Sequence, residues 1–286
     1  MKTVLSFGGG LDSSTLIAID LNRDKAADIL GITRSDLDAK FPSPDLVVFA
    51  DTGAESDSTY ATVDRFAALL GDRFIKVARN GETITEWCLR LGIVPVVKGG
   101  GHRCSIKFKG AVIQAALQDL GPINFQIGLE ADELGRAKRF SKPTGDLNDY
   151  SYPLIELGLS RHDCEVLIEQ LGFDQVQKSA CVFCPFASIT EIRDRYLNDP
   201  AGWDICVEVE ETYQATSPIK HQKWIDGGKR LTKGGKAFHG EWRVDSWGEG
   251  NRLFAKTIQG RQLSTAEWAD YFDNENLIPL TEEAVG

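Results

Sequence analysis

The chain has 286 residues, 42% hydrophobic and 26% charged, with a formal net charge of −10. This is ordinary globular composition, enough for one large domain or two modest ones, and the negative charge excludes a protein wholly devoted to coating nucleic acid while leaving room for a local basic patch. No apolar run reaches the roughly 18 to 20 residues of a membrane span, and the first residues lack the apolar core and small-residue cleavage site of a secretory signal, so a cytoplasmic location without membrane contact is expected. The cysteines at 88, 104, 164, 181, 184 and 206 are too scattered for a disulfide scaffold, which points any that cluster toward metal or redox chemistry.

In chain order, an apolar β-rich run at 3–7 leads into Gly8, Gly9 and Gly10 and then a helical pattern over 13–21. A second strand is predicted at 46–50, followed by a helix over 59–70 with apolar residues at Tyr60, Val63, Phe66, Ala67 and Leu70. Strands at 74–77 and 125–128 flank a helical pattern over 106–120. Alternating short strands and helices predict a doubly wound, mostly parallel α/β sheet, in which ligands sit outside the carboxyl ends of the strands. After about residue 150 helices dominate, with Ser160 as an N-cap for 160–171 and further helices near 188–197 and 200–215. The expected division is an α/β domain over 1–150 and a mainly helical region over 151–286.

The stretch 219–243 interleaves Lys220, Lys223, Lys229, Arg230, Lys233, Lys236 and Arg243 with Trp224, Phe238 and Trp242. Cations among aromatic side chains suit a surface that tracks phosphates and stacks bases, so nucleic acid is an expected partner there, against the plainer reading of a solvated lysine-rich loop. Beyond Arg261 the balance reverses to acidic.

Glycines between a strand and a helix expose backbone N–H groups at the positive end of the helix, a ready phosphate site. The loop has no lysine, so the G-x-x-x-x-G-K-[ST] loop of kinases and GTPases does not fit, and Ser13 stands where the dinucleotide fingerprint needs its third glycine. The plainer reading is a tight turn with Asp12 capping the following helix.

The segment Gly8-Gly9-Gly10-Leu11-Asp12-Ser13-Ser14 resembles the pyrophosphatase loop of the N-type ATP pyrophosphatases, with Gly9, Gly10, Asp12 and Ser13 matching and Gly8 standing where that family has a serine. Asp51, Thr52 and Gly53 are similar to the Asp-Thr-Gly that follows the second strand in the superfamily branch of the PAPS and APS reductases. Gly128, Glu133 and Arg136 resemble a third segment of that branch, and Glu130 stands where the sulfonucleotide reductases have arginine, a carboxylate that disfavours a sulfonucleotide. The resemblance implies an adenine nucleotide alpha hydrolase-like (HUP-like) fold and an ATP site with Mg2+. The phosphates would be held by Gly8, Gly9, Gly10, Ser13, Ser14 and Arg136, and the nucleotide by Asp51, Thr52, Gly53 and Gly128. Asp12, Ser13 and Arg136 are the expected catalytic residues.

Cys181 and Cys184 have CxxC spacing, and Cys104 lies 77 positions before Cys181. From the residues alone, a zinc site completed by His102, His162 or Cys164, a redox pair and an iron–sulfur cluster all remain open. The spacing is similar to that of the APS-reductase branch, and the resemblance implies a [4Fe–4S] cluster on Cys104, Cys181 and Cys184, one iron open for sulfur transfer, with Zn2+ as the alternative. Cys88 and Cys206 fall in apolar helical patterns and are expected in the core.

The expected function is therefore adenylation of an acceptor, with sulfur transfer through the cluster. A PAPS or APS reductase is the first alternative, opposed by the lack of a cysteine after Cys206 to attack a sulfonucleotide. A non-catalytic nucleotide-binding protein with structural zinc is the second.

Overall fold

The computed structural model describes residues 1–97, 101–102, 104–142, 144–226 and 252–274. The chain runs β1 (Lys2–Phe7), α1 (Leu11–Leu21), α2 (Arg23–Leu30), α3 (Arg34–Lys40), β2 (Leu46–Asp51), α4 (Asp57–Leu70), β3 (Phe74–Ala78) and α5 (Ile84–Leu91). Two short strands follow, β4 (Val96–Val97) and β5 (Gly101–His102), then a π-helical turn at Ser105–Gly110, α6 (Ala111–Leu117), β6 (Ile123–Ile127), α7 (Leu134–Arg139) and β7 (Asp149–Ser151). The remainder comprises α8 (Pro153–Leu157), α9 (Arg161–Gln170), α10 (Ile189–Asn198), α11 (Pro200–Asp226), the hairpin β8 (Thr257–Ile258) and β9 (Arg261–Gln262), and α12 (Thr265–Asn274).

Two compact units divide the chain: Met1–Arg79 with Ser105–Ser179, and Asn80–Cys104 with Ala180–Gly286. This is not the linear division expected at residue 150, which falls inside β7. The chain leaves the first unit after β3, contributes 80–104 to the second, and returns to complete the sheet.

The first unit holds a five-stranded sheet in the order β3-β2-β1-β6-β7, every neighbouring pair parallel. This is the doubly wound α/β fold expected from the alternating elements. The period of two along each strand sends Leu5, Phe7, Val47 and Phe49 into one core with α1, α4 and α9, and Val4, Val48, Ala50 and Phe125 into another with α6. Parallel strands buried on both faces leave only their ends for function. Succession runs outward from β1 through β2 to β3, then resumes on the other side of β1 with β6, so β1 and β6 flank the topological switch point.

The predicted helix over 106–120 is split: a π turn precedes α6 and a 3-10 turn follows it. Beyond residue 150, where helices were expected to dominate, the short strands β8 and β9 pair as well.

In the second unit α5 opens on a capping box between Thr83 and Glu86 and buries Ile84, Trp87 and Cys88. It ends at Gly92, whose φ of 52° lies in the left-handed region and whose carbonyl accepts a 3.0 Å hydrogen bond from Thr216 Oγ1 of α11. Glu210 of α11 is buried and accepts from the N–H groups of Leu253 and Thr265 at 2.9 and 3.1 Å, tying residues 252–274 to that helix. The same burial pushes its carboxyl above the ordinary range, against those two hydrogen bonds. Cys88 and Cys206 are both core residues, as expected, and burial raises the Cys206 thiol to about 12.

No helix among the described residues is long and apolar enough to cross a membrane. The basic stretch begins on α11 with Lys220 and Lys223, and its residues from 227 onward lie outside the described residues.

Candidate functional site

Gly8, Gly9 and Gly10 connect the carboxyl end of β1 to α1, and Gly10 is the N-cap of that helix without a side-chain cap of its own. Gly9 has φ 73°, and a Cβ there would come within 2.8 Å of Thr59 Cγ2. Glycine is thus required for both conformation and space. No hydrogen bond within the described residues occupies the N–H groups of Gly9 and Gly10, which lie beside the positive end of α1.

Ser13 ties the loop together: its Oγ accepts from Gly8 N–H and donates to the Gly10 carbonyl, both at 3.2 Å. The Gly8 N–H expected to face phosphate is engaged inside the loop instead. Ser14 is fully buried, and its Oγ has no hydrogen-bond partner among the described residues.

From the other side of the switch point, Gly128 follows β6. A Cβ there would lie 2.8 Å from the Ser13 nitrogen and 3.1 Å from the Asp12 carbonyl carbon. Both atoms are backbone, so only glycine lets the two strand ends meet.

Asp12 and Glu130 accompany this meeting point, and each has a buried oxygen, Asp12 Oδ1 and Glu130 Oε2, without a hydrogen-bond partner among the described residues. Desolvation raises the Asp12 carboxyl above the usual Asp range, opposed by the charge of Arg161, reinforced by that of Glu133 and further opposed by that of Arg136. Glu130 is raised in turn by burial and by the charges of Asp12, Glu133 and Asp132, against Arg161. Among the described residues Arg161 Nη1 pairs with Asp12 Oδ1 at 3.9 Å. Arg161 was not singled out in the sequence; it stands in the first turn of α9, whose capping box of Ser160 and Asp163 was the legible signal.

Arg136 lies on the short α7, is exposed, and pairs with Glu133 at 2.8 Å. Cys164 on α9 is fully buried, its thiol raised to about 12 mainly by desolvation and next by the charge of Asp12, so it is a core residue.

At the end of β2 the polar groups are paired. Asp51 Oδ1 accepts from Gly53 N–H and Tyr60 Oη, both at 2.8 Å, and its Oδ2 meets Lys76 Nζ at 2.8 Å. Burial works against the charge, but these hydrogen bonds, Lys76 first, hold the carboxyl below the ordinary range. Thr52 Oγ1 donates to the buried Glu55 at 3.0 Å, and Lys109 from the π turn pairs with the same oxygen at 3.1 Å. Gly53 adopts φ 75°, which explains its place after Asp51 and Thr52.

Cys181 and Cys184 occupy a turn closed by Cys184 N–H donating to the Cys181 carbonyl at 3.2 Å. Among the described residues no three His, Cys, Asp or Glu side chains are grouped closely enough to hold a metal. His162 is exposed and 3.8 Å from Glu165.

No family model matches the chain, and no curated protein matches it. Among solved structures it is similar to the phosphoadenylyl-sulfate (PAPS) reductase from Candida auris, in a phosphate complex, with 14% sequence identity and a TM-score of 0.39 over 62% of this chain and 81% of that one. The class defined by the sheet itself is doubly wound α/β, with two glycine-bearing strand ends meeting at its switch point.

Proposed function

We propose that this chain is an ATP-pyrophosphatase-type enzyme that binds ATP with its phosphates over Gly8–Gly10 and adenylates an acceptor. The observation that carries the reading is the convergence at the switch point: N–H groups at the start of α1 and two buried carboxylate oxygens that have no hydrogen-bond partner among the described residues, with Gly128 so close to the loop backbone that no Cβ fits there. Amides at a helix start favour a polyanion, whereas carboxylates beside them repel one unless a cation stands between.

Asp12 and Glu130 fit such a cation, because Mg2+ takes one or two carboxylates together with substrate phosphates. When bound there it would neutralise charge on the phosphates and on the departing pyrophosphate. The remaining work falls to the chain. An acceptor oxygen attacks the α-phosphorus as the bond to the α,β-bridging oxygen breaks; pyrophosphate leaves with that electron pair, and the acceptor proton passes to water. Gly9 and Gly10 amides orient the phosphates, Ser13 holds the loop in shape, and Arg161 balances the carboxylates before ligand arrives. Arg136 would reach the phosphates only on exchanging its partner Glu133.

Asp51, Thr52 and Gly53 serve in this reading as a braced wall beside the nucleotide. Sulfur transfer and a nucleic-acid acceptor belong to the proposal through the cysteine spacing and the stretch 219–243 alone. The deciding experiment follows the products of ATP with Mg2+ and candidate acceptors. Pyrophosphate with AMP or an adenylated product supports the reading; orthophosphate with ADP refutes it. Metal analysis and the visible spectrum of anaerobically prepared protein test the sulfur-transfer half, which falls if the protein is colourless and free of iron.

A further inference from the structure

We propose that Ser179 supplies the phosphate-binding hydroxyl that the loop lacks at Gly8. The inference rests on the ATP-binding reading above and names a further binding residue for that site. Ser179 lies in the irregular segment that follows α9, far from the loop in sequence, yet it lies over it in space. A Cβ built on Gly10 would meet Ser179 Oγ at 2.8 Å and its backbone nitrogen at 3.4 Å, and a Cβ built on Gly8 would have Ser179 Oγ as its one neighbour, at 4.0 Å. The hydroxyl therefore occupies the space above the loop that side chains at positions 8 and 10 would enter.

Three features separate this serine from a packing residue. It is half-buried rather than sealed in the core. Its hydroxyl makes no hydrogen bond within the described residues, so both its donor and its acceptor capacity are unused. The two hydroxyls already in the loop are otherwise committed, Ser13 to Gly8 and Gly10, and Ser14 to a fully buried position. An anion drawn to the amides of Gly9 and Gly10 would find Ser179 Oγ as the open hydroxyl beside them.

The geometry also provides its own control. Gly8 does not adopt positive φ, and a side chain there meets nothing closer than ordinary van der Waals contact, whereas Gly9 and Gly10 are closed to substitution. A hydroxyl can thus be moved from position 179 to position 8 without rebuilding the loop.

The experiment is calorimetric titration of the full chain with inorganic pyrophosphate, MgATP and adenosine, using wild type, Ser179→Ala and Ser179→Ala/Gly8→Ser, with thermal midpoints measured alongside. Loss of a hydrogen bond to a charged group predicts that Ser179→Ala weakens pyrophosphate and MgATP about 10-fold or more, leaves adenosine unchanged, and regains most of the loss on adding Gly8→Ser. Unchanged pyrophosphate affinity in Ser179→Ala overturns the assignment. So does an equal loss for adenosine, or a loss that Gly8→Ser leaves uncorrected in a variant with the wild-type midpoint. Wild-type protein that binds neither pyrophosphate nor MgATP overturns the ATP reading itself, and this inference with it.

Discussion

The ends of β1 and β2 lie side by side on one sheet, and near each an aspartate stands two residues from a glycine, yet their chemistry is opposite. At β2, Asp51 is met by Lys76, Tyr60 and the Gly53 amide, and Glu55 by Thr52 and Lys109. Beyond β1, Asp12 and Glu130 keep buried oxygens that have no hydrogen-bond partner among the described residues, with Arg161 at 3.9 Å from Asp12. A carboxylate with all its partners braces a fold, whereas one stripped of water and left unpaired is costly and is expected where a ligand or cation completes the set. The comparison predicts which aspartate matters for stability and which for activity.

The largest effect should come from exchanging the two roles. Asp12→Asn is expected to lower ATP-dependent pyrophosphate release by about 10²–10³-fold with the urea midpoint unchanged or raised. Asp51→Asn should do the reverse, costing about 1–3 kcal/mol of unfolding free energy because Lys76 and Tyr60 lose a charged partner. Equal effects of the two variants on both readouts would erase the distinction.

Gly128→Ala comes next. Its Cβ would press on the Ser13 and Asp12 backbone, and a displacement of about 1 Å in a positioning element costs about 10²-fold in rate. Steady-state pyrophosphate release and thermal unfolding of that variant measure the coupling between the two strand ends, and wild-type kinetics would remove it.

Bound ligand is expected to stabilise the unpaired end. At free MgATP about 100 times its Kd, unfolding free energy should rise by about 2.7 kcal/mol, and the gain should vanish in Asp12→Asn but survive in Asp51→Asn. Differential scanning calorimetry with and without Mg2+ separates the two.

The smallest effect is in pH, with opposite signs. Asp51 has a lowered folded pKa, so the stability it adds is full above the ordinary Asp value and is lost as pH falls through the folded one. Asp12 and Glu130 have raised folded pKa values, so the folded state takes up their protons first as pH falls, and their contribution to stability improves from neutral pH down through that window. Urea unfolding across acidic pH should lose the first trend in Asp51→Asn and part of the second in Asp12→Asn.

Four strands of the five-stranded sheet, all but β7, and the helices α1, α4 and α9 were legible because burial on both faces makes short apolar runs, and because Ser160 and the loop glycines punctuate them. Three aspects were hidden for physical reasons. Residues 80–104 leave the first unit and return, which no local pattern encodes. The partners of Asp51 and Glu55, namely Lys76 and Lys109, come from a neighbouring strand and a π turn, so their contacts exist only after the sheet forms. Ser13 and Ser14 looked alike in the sequence, but helix geometry sends one into the loop's own hydrogen bonds and the other into the core.

The interrupted course of the first unit has a consequence for the order of synthesis. When β3 leaves the ribosome, the next segment to emerge is α5, which buries Ile84, Trp87 and Cys88 and packs against α11, made more than a hundred positions later. In the interval β6 and β7 are completed, so the sheet can close around β1 while α5 still presents an unmatched apolar face. A chain halted before α11 would finish its glycine loop and carry a sticky helix, a natural point for a chaperone to act.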